Sequence, residues 1–188
     1  MKRIVAITMI LVVAIGFARS QSVPVVKSVA GCDFHASRSS VRTKLINKFG
    51  TAVEDTEKVL SFSDVEIGGF LYDYVEFFFK YDSKKMVNEF VSTIFQHRFY
   101  TFERDNAEDY YQKIVDAYKR KYGNLQSVVY DDVRLSACGP LPEDAVHDSD
   151  FPIIIMMKEG VSKGGDKYIY VTVYYYYNEI EDLYDDEI

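Results

Sequence analysis

Tryptophan is absent from this chain of 188 residues, and histidine and cysteine are scarce, with three and two residues. The sequence also lacks a G-x-G-x-x-G motif, a Walker loop and an H-E-x-x-H motif, which disfavours dinucleotide-binding, P-loop and zinc-protease chemistry. Nucleophilic catalysis needs a nucleophile beside a base that a third group orients, and His35, His97 and His147 stand in no such motif. The sequence therefore names no catalytic residue, and we expect a protein that is not an enzyme.

The apolar stretch at the N-terminus is short. It runs from Ile4 to Phe17, and these fourteen residues are too few to cross a bilayer, which takes about 20. Basic residues precede the stretch, and the small-residue cleavage signal Ala18-Arg19-Ser20 follows it. This order is typical of a cleavable signal peptide over residues 1–20. We expect an exported protein, periplasmic or extracellular, whose mature chain begins at Gln21 and holds no transmembrane segment.

A second interpretation of the N-terminal region rests on Val29-Ala30-Gly31-Cys32, which resembles the site where bacterial lipoproteins are cleaved and acylated. A lipoprotein site should follow the apolar stretch directly, whereas a polar stretch intervenes here. Lipid anchoring at Cys32 is therefore the alternative to a secreted chain.

Only two cysteines, Cys32 and Cys138, are present. In an exported protein an even number of cysteines favours a disulfide, so we predict one bridge between them. The alternative is a Cys₂His₂ zinc site that also uses His35 and His147, but the spacing Cys138-x8-His147 is loose for zinc. We expect no metal and no cofactor.

Basic residues are fewer than acidic residues in this chain. Lysine and arginine number 22 against 29 acidic residues, for a net charge of −7, and removal of residues 1–20 takes three basic residues and leaves −10. Such a surface repels phosphate backbones, so nucleic acid is not an expected partner. By contrast, 16 tyrosines and 13 phenylalanines indicate a packed globular domain.

Two helices are predicted from apolar periodicity and end signals. The first follows Ser37, carries Val41 and Leu45 on one face, and is expected to end at Gly50 as an αL residue. The second begins near Asp105 or Asn106 and stops at Gly123. Between and after the helices lie aromatic and β-branched runs typical of strands. The predicted strands are 65–70, 72–81, 86–102, 125–137, 151–159 and 167–178.

The two halves of the chain resemble each other. Lys48-Phe49-Gly50 closes the first helix and Lys121-Tyr122-Gly123 closes the second, and about three strands follow each. We therefore predict an α+β fold of two αβββ repeats, with the helices packed on one face of an antiparallel sheet. The repeats would cover about 33–104 and 105–178, after a flexible leader at 21–32 and before a solvated acidic tail at 179–188.

Three features of the chain resemble a group of uncharacterised exported proteins from Bacteroidetes. They are these helix ends, the strand pair that begins at Ile67-Gly68-Gly69-Phe70-Leu71-Tyr72, and the late aromatic strand. The duplicated layout is similar to beta-lactamase inhibitory protein, and each half to the fold of small outer-membrane assembly lipoproteins. The resemblance implies a helix layer on an antiparallel sheet and a role in protein binding. It implies no active-site residue.

A run of tyrosines in the last predicted strand is the candidate binding feature. Successive strand residues point to opposite faces, so Tyr174 and Tyr176 should share one face, and Tyr175 and Tyr177 the other. One pair must then face away from the helices and offer a rigid amphipathic contact surface. We predict a non-enzymatic binding or envelope-associated protein with a protein or carbohydrate partner, able to form a homodimer. The alternative is a hydrolase acting on an envelope or extracellular substrate.

Overall fold

The structure of this chain is a computed structural model, which describes residues 26–123, 125–130, 133–138, 152–162 and 164–177. The predicted signal peptide, His147 and the predicted acidic tail at 179–188 lie outside these residues. Within the described ranges, no helix is both long and apolar enough to cross a membrane.

Two helices and ten strands occur in the described part of the chain, together with a 3₁₀ turn at Thr101–Glu103. In chain order they are β1 (Ser28–Val29), β2 (Cys32–Asp33), α1 (Arg38–Phe49), β3 (Glu54–Asp55), β4 (Val59–Ile67), β5 (Phe70–Asp82), β6 (Val87–Tyr100), α2 (Arg104–Tyr122), β7 (Leu125–Tyr130), β8 (Val133–Cys138), β9 (Ile153–Val161) and β10 (Lys167–Tyr176).

Helix α1 forms where the sequence predicts it. Ser37 precedes it, and Val41 and Leu45 are fully buried on the face that meets the sheet. Gly50 ends it with a φ of +87°, but its ψ of −145° differs from the αL conformation expected there. This combination of angles is essentially restricted to glycine. The prediction of a glycine stop is therefore correct, and that of its conformation is wrong.

Helix α2 begins slightly earlier than predicted, because the 3₁₀ turn at Thr101–Glu103 leads directly into it at Arg104. Its apolar stripe is buried as expected, and Ile114 is fully covered. Gly123 ends this helix with a φ of +87° and a ψ of −148°, almost the same backbone geometry as Gly50.

Strands β3 to β10 form one antiparallel sheet in the order β3-β4-β5-β6-β10-β9-β8-β7. The four strands that follow α1 make one half and the four that follow α2 the other, and β6 pairs with β10 at the junction. In the described ranges, each helix is thus followed by four strands rather than three. In the second half the predicted strand 125–137 divides into β7 and β8. The sequence between them is Asp131-Asp132, and aspartate is a residue type that favours turns over strands.

Both helices pack on the same face of this sheet, as predicted, and one continuous core fills the space between the layers. Alternate residues of the long strands point into it, in agreement with the period of two in a β-strand. The largest fully buried side chains of this core are Tyr72, Phe62, Phe77, Phe90, Phe95, Leu45, Leu60, Ile114, Ile153, Ile155, Met157 and Ile169.

The segment before α1 differs from the predicted flexible leader over its described part. Strands β1 and β2 pair as a short antiparallel hairpin, and Val26, Val29 and Cys32 are buried in the core. Lysines of α1 reach the hairpin, since Lys44 and Lys48 donate hydrogen bonds to the carbonyls of Gly31 and Ala30.

The predicted disulfide is wrong, because Cys32 and Cys138 are both free thiols and both buried. Cys32 lies within electrostatic reach of Lys44 and Lys48 in α1 and of the adjacent Asp33, whereas Cys138 ends β8 within electrostatic reach of Tyr175. Burial raises the pKa of both thiols, that of Cys138 to about 11. Each cysteine therefore serves as a small apolar core residue.

Candidate functional site

The four tyrosines predicted to form a binding face divide between the two faces of β10. Tyr175 points into the core, where it is 6% exposed and its hydroxyl hydrogen-bonds that of Tyr118 in α2. Tyr177 lies on the same side, with its ring centroid 5.6 Å from that of Phe34 and 4.1 Å from that of His35. These two tyrosines are structural.

Tyr174 and Tyr176 point the other way, onto the sheet face opposite the helices, which we call the outer face. Their rings are nearly parallel, at 4° and a centroid distance of 6.2 Å. They pack against a second, smaller apolar cluster around Ala137 and Ile154, which also includes Leu135. Both rings are half-buried. The tyrosine run thus covers part of the outer face and is not its most exposed aromatic feature.

A group of stacked aromatic rings, two of them exposed, lies at the other end of β10, at positions that the sequence alone did not indicate. Tyr100 on β6 pairs with Tyr168 on β10, and their ring centroids are 5.3 Å apart. Phe102 stacks on Tyr100 at 5.4 Å with an interplanar angle of 7°, and Tyr170 follows Tyr168 at 6.2 Å. We call these four residues the aromatic ladder. Phe102 is 83% exposed and Tyr100 is 54% exposed, values that are high for large aromatic side chains.

A groove opens beside the aromatic ladder where β5 separates from β6. The pairing of these strands ends at Tyr74 and Gln96, and beyond it the backbone N–H of Arg98 donates instead to Oδ2 of Asp73, at 2.7 Å. The resulting concavity has a volume of about 390 Å³, which lies within the range of small-molecule sites. We call it the outer groove; its lining consists of Asp73, Tyr74, Gln96, Arg98, Ser162 and Tyr170.

Arg98 connects the outer groove to the aromatic ladder. Its guanidinium carbon lies 5.3 Å from the centroid of the Tyr168 ring, a cation–π contact. Among the residues that the structure describes, the guanidinium makes no hydrogen bond and no ion pair, and the side chain is exposed. A planar group with five N–H donors is thus held over an aromatic ring and remains available to a ligand.

The position of Tyr170 depends on a glycine in the neighbouring strand. Gly160 on β9 pairs with Tyr168, and a Cβ on Gly160 would lie 2.9 Å from a carbon of the Tyr170 ring. No real Cβ tolerates this distance, so any side chain at position 160 would displace the ring. Gly160 therefore permits the Tyr170 ring to pack closely over β9 at the wall of the outer groove.

The hydroxyl of Tyr74 contributes a polar group to the outer groove. Partial burial raises the pKa of Tyr74 above its ordinary value of 10. The hydroxyl is therefore protonated at neutral pH, and a protonated phenol can both donate and accept a hydrogen bond.

Two of the three histidines lie in the described ranges, and each faces a carboxylate. Nδ1 of His97 lies 3.2 Å from Oδ2 of Asp73, but without hydrogen-bond geometry, and its ring packs on Tyr110 of α2, on the inner side of the sheet. Nδ1 of His35 hydrogen-bonds Glu89 at 2.8 Å. Within the described residues, no group of three or more histidine, cysteine or acidic side chains could hold a metal ion.

Glu89 is a nearly buried carboxylate, 4% exposed. A hydrogen bond from Lys85 at 2.8 Å and the contact with His35 lower the pKa of Glu89, and the lysine makes the larger contribution. This cluster joins the segment between the hairpin and α1 to the sheet and serves a structural role.

Another concavity, of about 180 Å³, lies between α2, the N-terminal hairpin and the inner face of the sheet. Phe70, Phe95 and Tyr175 contribute to its largely apolar wall, and Lys121 lies at its edge. It is less than half the size of the outer groove.

Comparisons with protein-family models, with curated proteins and with solved structures found no match. The class of protein is therefore defined by the fold and the site. The described part of the chain is an α+β structure with two helices on one face of an antiparallel sheet, and an aromatic ladder lies beside a polar groove on the opposite face. The function has to be inferred from these residues.

Proposed function

We propose that this chain is an exported, non-enzymatic binding protein that holds its partner on the outer face of the sheet. The observation that carries the proposal is the aromatic ladder, which places stacked rings in solvent with Phe102 83% exposed. The proposal of export rests on the signal peptide that the sequence predicts over residues 1–20.

The exposure of the ladder is costly for a protein without a partner. Fully burying a side chain of this size is worth about 1.5–3 kcal/mol, so rings left in water forgo a large stabilisation. Aromatic anchors that lose their hydration on binding dominate the energy of many interfaces, where truncating one costs about 2 kcal/mol. The stacking of Phe102 on Tyr100 also holds both rings in place before a partner arrives, which lowers the entropy cost of binding.

The ladder and the groove belong mainly to interior strands. In the sheet order, β5, β6 and β10 all have a neighbour on each side, so most of their backbone groups are used within the sheet, and the exception is the stretch beside the groove where β5 leaves β6. A partner would therefore be recognised by side chains rather than by addition of a strand to a sheet edge. The negative net charge of −7 disfavours nucleic acid as that partner.

We also propose that the domain arose by duplication of a unit of one helix and its following strands. The strand order is symmetric about the junction of β6 and β10 and supports this idea. The nearly identical φ and ψ angles of Gly50 and Gly123 support it further. On this proposal the aromatic ladder and the outer groove lie at the junction of the two units.

The test is co-sedimentation of the purified protein with isolated bacterial cell envelopes. The variant Tyr100→Ala/Phe102→Ala removes the exposed part of the ladder, and Val53→Ala/Val129→Ala is the matched control, since those residues are 63% and 67% exposed elsewhere. We expect the wild type and the control to sediment with envelopes, and the ladder variant to lose about 10-fold in affinity. Equal sedimentation of both double variants, or none by the wild type, would overturn the proposal.

A further inference from the structure

We propose that the outer groove binds a carbohydrate chain, with a sugar ring on the aromatic ladder and its hydroxyls held by the polar side chains of the groove. This inference rests on the proposed function and names the ligand class for the same face.

The polar lining of the groove matches a polyol. A sugar hydroxyl is both a donor and an acceptor, so a ring of hydroxyls needs both kinds of partner at close spacing. Arg98 supplies donors only and the carboxylate of Asp73 supplies acceptors only. Gln96, Tyr74 and Ser162 supply both, and together these groups surround one concavity of about 390 Å³.

The ladder supplies the other half of sugar recognition. A pyranose ring has apolar C–H faces, and these pack on aromatic rings while the hydroxyls point outward at the rim. Tyr100 and Phe102 present such a surface to solvent, and Tyr168 continues it to Arg98 at the groove. The ligand would therefore lie across the boundary between the ladder and the groove, which suits a chain of sugars rather than a single small ion.

Other ligand classes fit this surface less well. An extended peptide adds to a strand whose backbone groups are free. Here β6 and β10 pair with each other as far as Tyr100 and Tyr168, and where β5 leaves β6 the backbone N–H of Arg98 is already bonded to Asp73. An amphipathic helix needs an apolar groove, and here Asp73, Gln96 and Arg98 line the concavity. A phosphate or sulfate ion would meet the carboxylate of Asp73 beside Arg98, so the charges in the groove oppose as well as attract it.

The site is also held in place before binding. The Asp73 carboxylate is fixed by the Arg98 backbone N–H at 2.7 Å, and Gln96 donates to the hydroxyl of Thr172 at 3.3 Å. Tyr170 depends on the missing side chain at Gly160. Since an oligosaccharide loses much conformational freedom on binding, a groove whose own side chains are already ordered retains more of the contact energy.

The experiment is isothermal titration calorimetry of the purified protein with five probes: cellohexaose, mannohexaose, laminarihexaose, maltohexaose and chitohexaose. The main variants are Arg98→Ala, which removes an exposed side chain, and Gly160→Ala, which displaces the ring of Tyr170. Val53→Ala is the control, and circular dichroism confirms that each variant folds. We expect at least one probe to bind, at least a 10-fold loss in both groove variants, and no change in the control.

The inference is overturned if none of the probes binds, or if the Arg98→Ala variant binds as tightly as the wild type. Arg98→Ala keeps the test valid should Gly160→Ala fail to fold. Competition by the same oligosaccharides in the envelope assay separates this inference from the proposed function. Ladder-dependent sedimentation that no oligosaccharide competes would reject the carbohydrate and leave the binding face intact, whereas absence of sedimentation would reject the binding face itself.

Discussion

The glycine that ends each helix provides the most direct test of the backbone geometry. Gly123 has a φ of +87° and a ψ of −148°, and Gly50 a φ of +87° and a ψ of −145°. A residue other than glycine with these φ and ψ angles destabilises the folded state by about 1–3 kcal/mol. Among the described residues, nothing lies within 4 Å of a Cβ placed on either glycine, so a substitution to alanine would cost backbone strain alone.

We therefore expect Gly123→Ala to lower the free energy of unfolding by about 1–3 kcal/mol, a large part of the ~5–15 kcal/mol typical of a domain. Unfolding in urea, monitored by circular dichroism, measures this change in the free energy of unfolding. With a slope of about 1–3 kcal/mol per molar urea, the midpoint should fall by roughly 1 M. Gly50→Ala should behave alike, because its geometry is nearly the same.

Two further variants test whether backbone strain is the cause of the lost stability. Gly164→Ala is the control: its Cβ would lie 3.6 Å from the hydroxyl of Ser162, an ordinary contact, and its φ is not positive. Its stability should stay within about 0.5 kcal/mol of the wild type. Gly123→Asn should be as unstable as Gly123→Ala, because asparagine tolerates αL but not this region. A midpoint unchanged in Gly123→Ala, or restored by asparagine, would refute the reasoning.

Three further predictions concern the interior. Cys32 and Cys138 should resist a thiol reagent in the folded protein, and both should react in urea. An intact mass lower than that of the dithiol by two hydrogen atoms would indicate a disulfide and contradict the free thiols. Tyr111→Phe should lower the free energy of unfolding in urea by about 1 kcal/mol, because it removes the hydrogen bond to Ser136 at 2.7 Å. Ser136→Ala should lower it more, by about 1–3 kcal/mol, since it leaves the buried Tyr111 hydroxyl without that partner. The pKa of Glu89 is lowered in the folded state, so its stabilisation is present above the unfolded pKa and is lost as pH falls through the folded pKa. Glu89→Gln should thus destabilise the protein at pH 7 and have little effect near pH 2, and an equal effect at both would contradict this.

Local sequence signals were sufficient for most of the secondary structure. The periodicity of Val41 and Leu45 and the glycines at positions 50 and 123 located both helices. Strand alternation also predicted that Tyr174 and Tyr176 would face away from Tyr175, because the period of two is a property of the backbone itself. The ends of elements were less well predicted where tertiary context decided them, as at the 3₁₀ turn before α2.

The candidate site could not be predicted in the same way. Tyr100 and Tyr168 are 68 positions apart in the sequence, and only the pairing of β6 with β10 brings their rings together. The outer groove exists because β5 pairs with β6 only from Tyr74 onward, and no local pattern marks where two strands part. The role of Gly160 likewise depends on its contact with Tyr170 on the neighbouring strand, which the sequence does not show.

The sequence by itself determined the α+β class, the two helices and their glycine ends, because these depend on periodicity and on conformations that local residues favour or forbid. Only the tertiary structure decided the strand order, the free state of the cysteines and the place of the candidate binding face, because each depends on which distant segments meet. The tyrosine run drew notice as the densest aromatic segment. Burial, which is a property of the whole fold, leaves Tyr174 and Tyr176 half-buried and Tyr100 and Phe102 exposed.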